Sequence, residues 1–282
     1  MHRAALDGNL EALEYMSKLS YWPEIVNDQS AAQKFSPLLF AVSRRDFKTV
    51  KFLHRNGASL TTLTDEGMSP FHMAASVNDL YSMAYMLENQ PKNFEIDIQS
   101  TDGWTPAHLS GMMGNLDMTN YLIEKKADLF KKSAQGMSVV DEIIRSDHAD
   151  LLGCIYDILP QKNKSSEALK FIHLASGTGS IACIHYLIQK GENPNLLSSD
   201  ENKAAPLHFA VLSSNPVAVK TLISGGALIN IQDGHGNTPY NLASQLGNQE
   251  ILRIIEDFGG NALIQNEQHL NAVDVAFNDG VK

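Results

Sequence analysis

The stretch SPFHMAA occupies residues 69–75, and close copies of it return as TPAHLS at 105–110, APLHFA at 205–210 and TPYNLA at 238–243. A motif that recurs at a nearly constant period of this size indicates a stack of similar structural units. We take the fourth position of the motif as a register mark. Including weaker copies, the mark recurs at intervals of 32 to 37 residues, at His2, Leu39, His72, His108, Asp141, His173, His208, Asn241 and Asp274.

The residues between two marks predict a pair of short helices. A Thr-Pro or Ser-Pro pair suits a helix start, because the hydroxyl caps free N–H groups and proline fits the first turn. A Gly-polar pair such as Gly114-Asn115 then interrupts the chain, and an aliphatic run such as 50–53 has the spacing of a buried helical face. A glycine such as Gly57 ends the second helix, and Asp102-Gly103 is typical of a turn.

These residues resemble the ankyrin repeat, in which a β-turn precedes two helices and the first helix opens with T-P-L-H-x-A. The resemblance covers nearly the whole chain, and four copies match closely. It implies an all-α fold, a curved solenoid of helix–turn–helix units with projecting β-turn or hairpin loops. Three copies depart from the pattern, at Leu39, at 138–141 and at 171–173. For these the resemblance implies the helices but not the geometry of the turns.

We expect residues 1–282 to form a single array, with about seven full units between an incomplete first unit and a half ninth unit. The half-units at the two ends have two interpretations. They are either atypical capping repeats or the cut ends of an excerpt from a longer polypeptide. The second interpretation is favoured, because Asp274 and Phe277 would face an absent partner helix.

The composition restricts the classes of partner. A net charge of −10, from 22 basic and 32 acidic residues, argues against nucleic-acid binding, which needs a basic field. No apolar run reaches membrane-spanning length, so we expect no membrane insertion. We expect Cys154 and Cys183 to be buried free thiols on second helices, which fits a reducing cytoplasmic location, free or bound to the cytoskeleton or a complex.

The sequence predicts no catalytic, metal-binding or cofactor-binding residues. Five of the ten histidines occupy the register mark, where the family resemblance implies a structural role in hydrogen bonds between units. The remaining histidines show no metal-ligand spacing. The run 177–182, GTGSIA, mimics a dinucleotide-binding loop, but a helix rather than a strand is expected before it. We therefore expect a protein that is not an enzyme.

A partner-binding surface is expected on the turn tips and first helices, which the resemblance implies to be the concave face. Apolar residues that break the repeat and that the core does not need are candidate anchors. The alternative is that Trp104 packs along the neighbouring turn while the methionines fill gaps between helices. The candidates are Met68 and Trp104 from the turns, Val77, Met112 and Met113 from the first helices, and the acidic rim Asp65, Glu66 and Asp102.

Two secondary predictions concern other surfaces. A basic patch in the repeat marked by Leu39 is either a solvated helical face or a site for an acidic partner segment. It comprises Arg44, Arg45, Lys48, Lys51 and Arg55. Asn195 and Asn230 occupy a turn slot that can be hydroxylated in ankyrin-like proteins, although an asparagine there also stabilises the turn on its own.

Together these observations favour a non-enzymatic scaffold or adaptor that binds one or more proteins. The alternative is the regulatory or targeting region of a larger enzyme, channel or multi-protein assembly. The sequence names no partner.

Overall fold

The computed structural model describes residues 1–92, 94–158 and 171–278, which form two compact units. The first unit ends at Glu142 and the second begins at Ile143. Within the described ranges the regular structure is helical and no strand is present. This agrees with the predicted all-α fold. The prediction of one continuous array over residues 1–282 stays a prediction.

The first unit consists of helix pairs in two layers. The first helices of successive repeats pack side by side, α1 against α4, α4 against α6 and α6 against α8, while the second helices α5 and α7 pack in the other layer. Its helices are α1 (His2–Leu6), α2 (Leu10–Ser17), α3 (Trp22–Ile25), α4 (Pro37–Ser43), α5 (Phe47–Arg55), α6 (Pro70–Ser76), α7 (Leu80–Glu88), α8 (Pro106–Met112) and α9 (Leu116–Glu124). Helix α10 (Val139–Arg145) contains the boundary between the units.

The second unit repeats this two-layer arrangement. First helices α14, α16 and α18 pack in sequence, and second helices α11, α13, α15 and α17 pack in sequence. Its helices are α11 (Ala149–Ile158), α12 (helical residues 171–178), α13 (Ile181–Gln189), α14 (Pro206–Leu212), α15 (Pro216–Ser224), α16 (Pro239–Gln245), α17 (Gln249–Asp257) and α18 (Ala272–Asn278). The last four residues of the predicted ninth half-unit lie outside the described ranges.

The capped helix starts that the sequence predicts are present. The side-chain oxygens of Ser69, Thr105 and Thr238 accept hydrogen bonds from the backbone N–H three residues later, and proline occupies the first helical position each time. Ala205 has no side-chain oxygen, yet its helix begins in the same way, because its own N–H donates to Nδ1 of His208 at 3.0 Å. The helix start therefore depends on the register histidine as well as on the cap.

The turn between the two helices of each repeat requires one residue in the left-handed region. Glycine takes this position at Gly8, Gly114, Gly179 and Gly247, with φ between +65° and +72°. At Gly179 a Cβ atom would lie 2.1 Å from Nδ2 of Asn215, so a side chain here would have to displace that carboxamide. Four residues that bear a Cβ adopt the same conformation in the other copies, namely Arg45, Asn78, Asp147 and Ser214.

Small and aliphatic side chains fill the space between neighbouring helices. Ala74, Ser110 and Ala210 are completely buried where first helices approach one another, and Val50 and Leu53 are completely buried on α5. Burial of this kind supplies most of the stability of a stacked array.

One prediction about the core is wrong. Cys183 is buried, but Cys154 is exposed. On α11 the buried face consists of Leu151, Leu152, Ile155 and Tyr156, and Cys154 points away from it because successive helical residues are about 100° apart.

Candidate protein-binding surface

The turn tips of the first unit form a row that is joined through the backbone. In the tip at 64–68, the N–H of Thr64 donates to the carbonyl of Met68 at 3.0 Å, which closes the turn. The N–H of Thr101 in the next tip then donates to the carbonyl of Glu66 at 3.0 Å. The N–H of Ala134 likewise donates to the carbonyl of Asp102 at 2.8 Å. Side chains on successive tips are therefore held at a defined separation.

Trp104 lies half-buried at the base of one tip. Its indole N–H donates to Oε1 of Gln135 at 3.4 Å, so the ring lies toward the neighbouring turn while part of it stays in contact with solvent. Its carbonyl accepts hydrogen bonds from the N–H of Ser100 at 2.9 Å and from Nε2 of His72 at 2.8 Å. The packing alternative for Trp104 is thus partly realised, and the backbone that carries the ring is held from two sides.

His72 holds this backbone in place from inside the core. Its ring is completely buried, and its Nδ1 accepts hydrogen bonds from the N–H and the hydroxyl of Ser69 at 3.1 and 2.8 Å. Burial disfavours the charged imidazolium and lowers the pKa of His72 to about 4, although the bond to the Trp104 carbonyl opposes the shift. The neutral ring therefore joins the start of α6 to the tip that carries Trp104.

The same bonding recurs at the other register histidines. Nε2 of His108 donates to the carbonyl of Met137 at 3.1 Å, and Nε2 of His208 donates to that of Asn237 at 3.0 Å. Burial also lowers the pKa of His108 and of His208. His173 donates to the carbonyl of Leu196 at 2.9 Å, and His2 to that of Asp28 at 2.8 Å. The structural role that the sequence predicts for these five residues is confirmed.

The apolar candidates differ in exposure. Met113, at the C-terminal end of α8, is 52% exposed, whereas Met68, Val77 and Met112 are half-buried. Val77 and Met113 occupy equivalent positions, directly after the last residue of α6 and of α8. Met113 is therefore the most accessible apolar side chain of the set.

The acidic candidates are all exposed on the tips. Asp65 forms an ion pair with Lys34 at 3.0 Å, and Glu66 and Asp102 bind the next tip through their backbone carbonyls rather than their carboxylates. A surface ion pair of this type contributes little to stability. The carboxylates of Glu66 and Asp102 project from the tips that flank Met68 and Trp104.

The predicted basic patch is spread over the α4–α5 turn and α5. Arg44 and Arg45 are exposed at the turn, and Lys48 and Arg55 are exposed on α5. Lys51 is half-buried, with its Nζ 5.9 Å from the centre of the Phe47 ring. The basic patch as a site for an acidic partner segment stays a prediction.

The two candidate hydroxylation sites belong to a recurring contact, which we call the Asn clamp. Nδ2 of Asn195 donates to the carbonyl of Gly226 at 3.0 Å, and its Oδ1 accepts from the N–H of Leu228 at 2.6 Å. Asn230 binds Gly259 and Asn261 in the same way, at 3.4 and 2.8 Å. Asn27 in the first unit forms a third clamp. Each carboxamide bridges its turn to the end of the next second helix.

Sequence reasoning missed several exposed apolar residues. Leu63, on the turn that also carries Met68, is 42% exposed and stands where Gln99 in the next repeat uses its amide to bind two loop carbonyls. Leu212 and Leu246, in the second unit, are 53% and 45% exposed and occupy the same offsets from the register mark as Met112 and Met113. A position-by-position comparison of the repeats would have found them.

Across the described ranges there is no group of three or more His, Cys, Asp or Glu side chains arranged to hold a metal ion. The run at 177–182 begins in the last turn of helix α12, so a helix precedes it, as expected, in place of the strand that a dinucleotide-binding loop requires. No helix in the described part of the chain is both long and apolar enough to span a membrane.

Comparison with known families gives a consistent result. The family model described as ankyrin repeats (3 copies) matches residues 1–97, 38–133, 137–233 and 172–266. Ankyrin repeats are protein–protein interaction modules, and they are typically not catalytic.

Individual relatives share modest identity. The probable 26S proteasome regulatory subunit p28 of Saccharomyces cerevisiae is 25% identical over 242 residues, which cover 84% of this chain and 90% of the yeast protein. The transient receptor potential cation channel subfamily A member 1 of Drosophila melanogaster is 26% identical over 270 residues, covering 79% of this chain and 22% of the channel. Human rabankyrin-5 is 25% identical over 182 residues, covering 52% of this chain and 16% of that protein. The chain thus spans most of the first relative and about a fifth of the other two.

Proposed function

This chain belongs to the ankyrin-repeat family, and we propose that it is a non-enzymatic scaffold that binds a partner protein through its turn tips and first helices. The observation that carries this proposal is that Trp104 and Met113, which flank helix α8 at its two ends, both reach solvent. A half-exposed indole lies on a tip whose backbone His72 holds, and an exposed thioether ends the helix that follows. Tryptophan is frequent among binding hot spots, and methionine adapts to irregular partner surfaces.

The mechanism is rigid presentation of a preformed surface. Backbone bonds between successive tips and the buried imidazole of His72 fix the position of Trp104 before any partner arrives. A surface that is already ordered loses little conformational entropy on binding. The exposed carboxylates of Glu66 and Asp102 would then favour a partner with basic groups at the edge of its contact.

The test combines partner identification with a point variant. Affinity purification followed by crosslinking mass spectrometry identifies the partner and the contacting face, and calorimetry then measures its affinity. Trp104→Ala is expected to weaken binding by about 2 kcal/mol, the size of a typical hot spot. The matched control is Tyr15→Ala, which removes an exposed aromatic side chain from the second-helix layer.

Two results would count against the surface. One is an unchanged affinity of Trp104→Ala with an unchanged circular dichroism spectrum. The other is a set of crosslinks confined to the second helices.

A second candidate function is supported by the extent of the similarity to yeast p28. Because the aligned region covers 90% of that protein, we propose as the alternative that this chain is a regulatory subunit of a large assembly of the proteasome type. Co-sedimentation of the native protein with 26S proteasomes, and crosslinks to their subunits, would support this alternative. Sedimentation only as a small species would contradict it.

The remaining parts of the proposal concern location and modification. We place the protein in the cytoplasm, free or bound to a complex or the cytoskeleton, which cell fractionation can test. We also propose Asn230, and secondarily Asn195, as hydroxylation sites. A hydroxyl group on Cβ leaves the carboxamide and hence the Asn clamp intact. Peptide mass spectra of the native protein that lack the added oxygen at both sites would refute this part.

A further inference from the structure

Helices α5 and α7 together carry a group of three aromatic rings and two lysines, and one of the rings is exposed. We call it the aromatic–basic patch, and it consists of Phe47, Lys48 and Lys51 on α5 and Tyr81 and Tyr85 on α7. Tyr81 is 77% exposed, the highest value among the large hydrophobic side chains of the described residues. Lys48 is exposed, and the other three members are half-buried.

The rings of the patch support one another. The Phe47 ring centre lies 6.2 Å from that of Tyr81 and 5.7 Å from that of Tyr85, the second contact being edge-to-face. The hydroxyl of Tyr85 lies 2.9 Å from Nδ1 of His54, which anchors it from the other side. The exposed ring of Tyr81 therefore stands on a preformed aromatic base rather than on a flexible loop.

The charge of the patch is positive although the chain carries a net charge of −10. None of the ion pairs formed by the described residues uses Lys48 or Lys51. The carboxylate of Asp46, at the start of α5, is occupied by the N–H and hydroxyl of Thr49 at 3.2 and 2.6 Å. Asp79, at the start of α7, is 2% exposed and accepts from the N–H of Ser82. The two acids that begin the helices of the patch, Asp46 and Asp79, thus cap those helices instead of pairing with the lysines.

We propose that the aromatic–basic patch is a second docking surface, which binds an acidic segment of a partner protein that also carries an apolar or aromatic side chain. Carboxylates of the segment would face Lys48 and Lys51, and its apolar side chain would pack on Tyr81 and Phe47. Charge complementarity favours this partner, since the patch is a local cationic region on an acidic protein. Two lysines on an acidic chain are too few to supply the basic field that nucleic-acid binding requires.

This surface is independent of the one proposed to contain Trp104. The patch lies in the layer of second helices, in which α5 packs against α7, whereas Trp104 lies on a turn tip next to the first helices. A partner can therefore occupy one surface without the other, and each can be tested in a background where the other is altered.

The probes are two fluorescein-labelled peptides of equal charge. One is rich in glutamate and contains phenylalanine, and the other has serine in place of phenylalanine. Fluorescence anisotropy with the 282-residue chain is expected to show salt-dependent binding of the phenylalanine peptide, with weaker binding of the serine peptide. Lys48→Glu and Tyr81→Ser are each expected to weaken binding of the phenylalanine peptide about fivefold, the size expected for one exposed charge or ring contact.

The matched controls separate the patch from general charge and from the other surface. Lys220→Glu changes an exposed lysine on a second helix of the other unit, and Trp104→Ala alters the tip surface. Both are expected to leave peptide binding unchanged. Because Tyr81 and Lys48 are exposed, their variants should keep the wild-type thermal midpoint.

Four outcomes would overturn the proposal. They are absence of peptide binding, equal weakening by Lys220→Glu, equal binding of the serine peptide, and tighter binding of a single-stranded oligonucleotide than of the phenylalanine peptide. The last outcome would assign the patch to nucleic acid instead.

Discussion

Two neighbouring repeats of the first unit, those marked by Leu39 and His72, are joined to the turn that follows by different side chains. In the His72 repeat a buried imidazole bonds the helix start at Ser69 and the carbonyl of Trp104 in the next tip. Leu39 is equally buried but has no polar atom to donate. There the hydroxyl of Ser36 lies 3.1 Å from the hydroxyl of Thr62 and supplies the contact to the next turn.

The difference shows that the coupling between repeats is not uniform along the stack. A buried imidazole makes bonds on both sides and is sensitive to acid, whereas a pair of hydroxyls makes one bond that does not titrate near neutral pH. In an array whose stability is a sum over repeats and their interfaces, unequal interfaces allow parts of the stack to open separately.

The largest expected effect comes from replacing His72 by leucine, the side chain that the neighbouring repeat has at position 39. His72→Leu leaves the buried N–H and hydroxyl of Ser69 without their acceptor, and it removes one of the two donors to the Trp104 carbonyl. We expect a loss of about 3 kcal/mol in the free energy of unfolding, since each buried group left unpaired costs 1–3 kcal/mol. Urea denaturation at pH 7, followed by circular dichroism, measures it.

The matched control is His185→Leu, which changes an exposed histidine on α13. It is expected to alter stability by less than about 0.5 kcal/mol, as surface substitutions usually do. A loss below about 1 kcal/mol for His72→Leu would mean that leucine satisfies this site as well as it does at position 39.

The next effect is a dependence of the free energy of unfolding on acid, which we expect from the repeat that carries His72. His72 has a pKa of about 4 when folded and an ordinary value near 6.5 when unfolded, so the stabilisation is complete above pH 6.5. As the pH falls from there toward 4, the unfolded chain gains the proton and the folded chain does not. The loss attributable to His72 is about 2 kcal/mol at pH 5.

Denaturation at pH 7 and pH 5 checks this sign. The wild type should lose about 2 kcal/mol more than His72→Leu between the two values. His108 and His208 shift in the same direction in both proteins and therefore cancel. Equal losses in the two proteins would show that His72 does not titrate in this window.

The smallest effect is expected from the reverse exchange. Leu39→His places an imidazole where Ser36 already caps the helix and where the carbonyl of Met68 takes the place that Trp104 has for His72. Because a new hydrogen bond offsets lost apolar contact, we expect stability at pH 7 to change by no more than about 1 kcal/mol. A new acid dependence below pH 6.5 should appear, visible in the same pair of denaturation curves.

Leu38→His is the control for position. It buries an imidazole one residue away from the register mark, where no partners are arranged, and should cost several kcal/mol, on the order expected for an unpaired buried polar group. If Leu39→His lowers the free energy of unfolding as much as Leu38→His does, the register position alone does not create the hydrogen bond to the next turn.

Much of the repeat could be read from the sequence because its cues are local. Thr105-Pro106 starts a helix whatever lies around it, and Gly114 supplies the left-handed turn. The bonding of His72 followed from the family resemblance, and it needed no knowledge of the neighbouring repeat beyond its presence.

The exposure of side chains was harder to predict from the sequence, because it depends on which residues of the adjacent repeat pack against them. Cys154 looked like a core residue by its position in an apolar helix, yet the buried face of α11 lies on the other side. Tyr81 lies on an apolar helix as well, yet it is 77% exposed. The contact between Ser36 and Thr62 replaces the histidine link without any motif that marks it.

The Asn clamp has a consequence for how such a chain can change in length. Each clamp closes a ring that spans about one repeat, 30 to 32 residues from Asn27 and 31 to 33 from Asn195. Duplicating or deleting one whole period brings an equivalent glycine carbonyl and N–H opposite the same carboxamide. An insertion shorter than one period inside the ring instead displaces this carbonyl and N–H from the carboxamide, unless the extra residues form a loop. The chain can thus be lengthened or shortened in whole periods while every remaining Asn clamp keeps its partner.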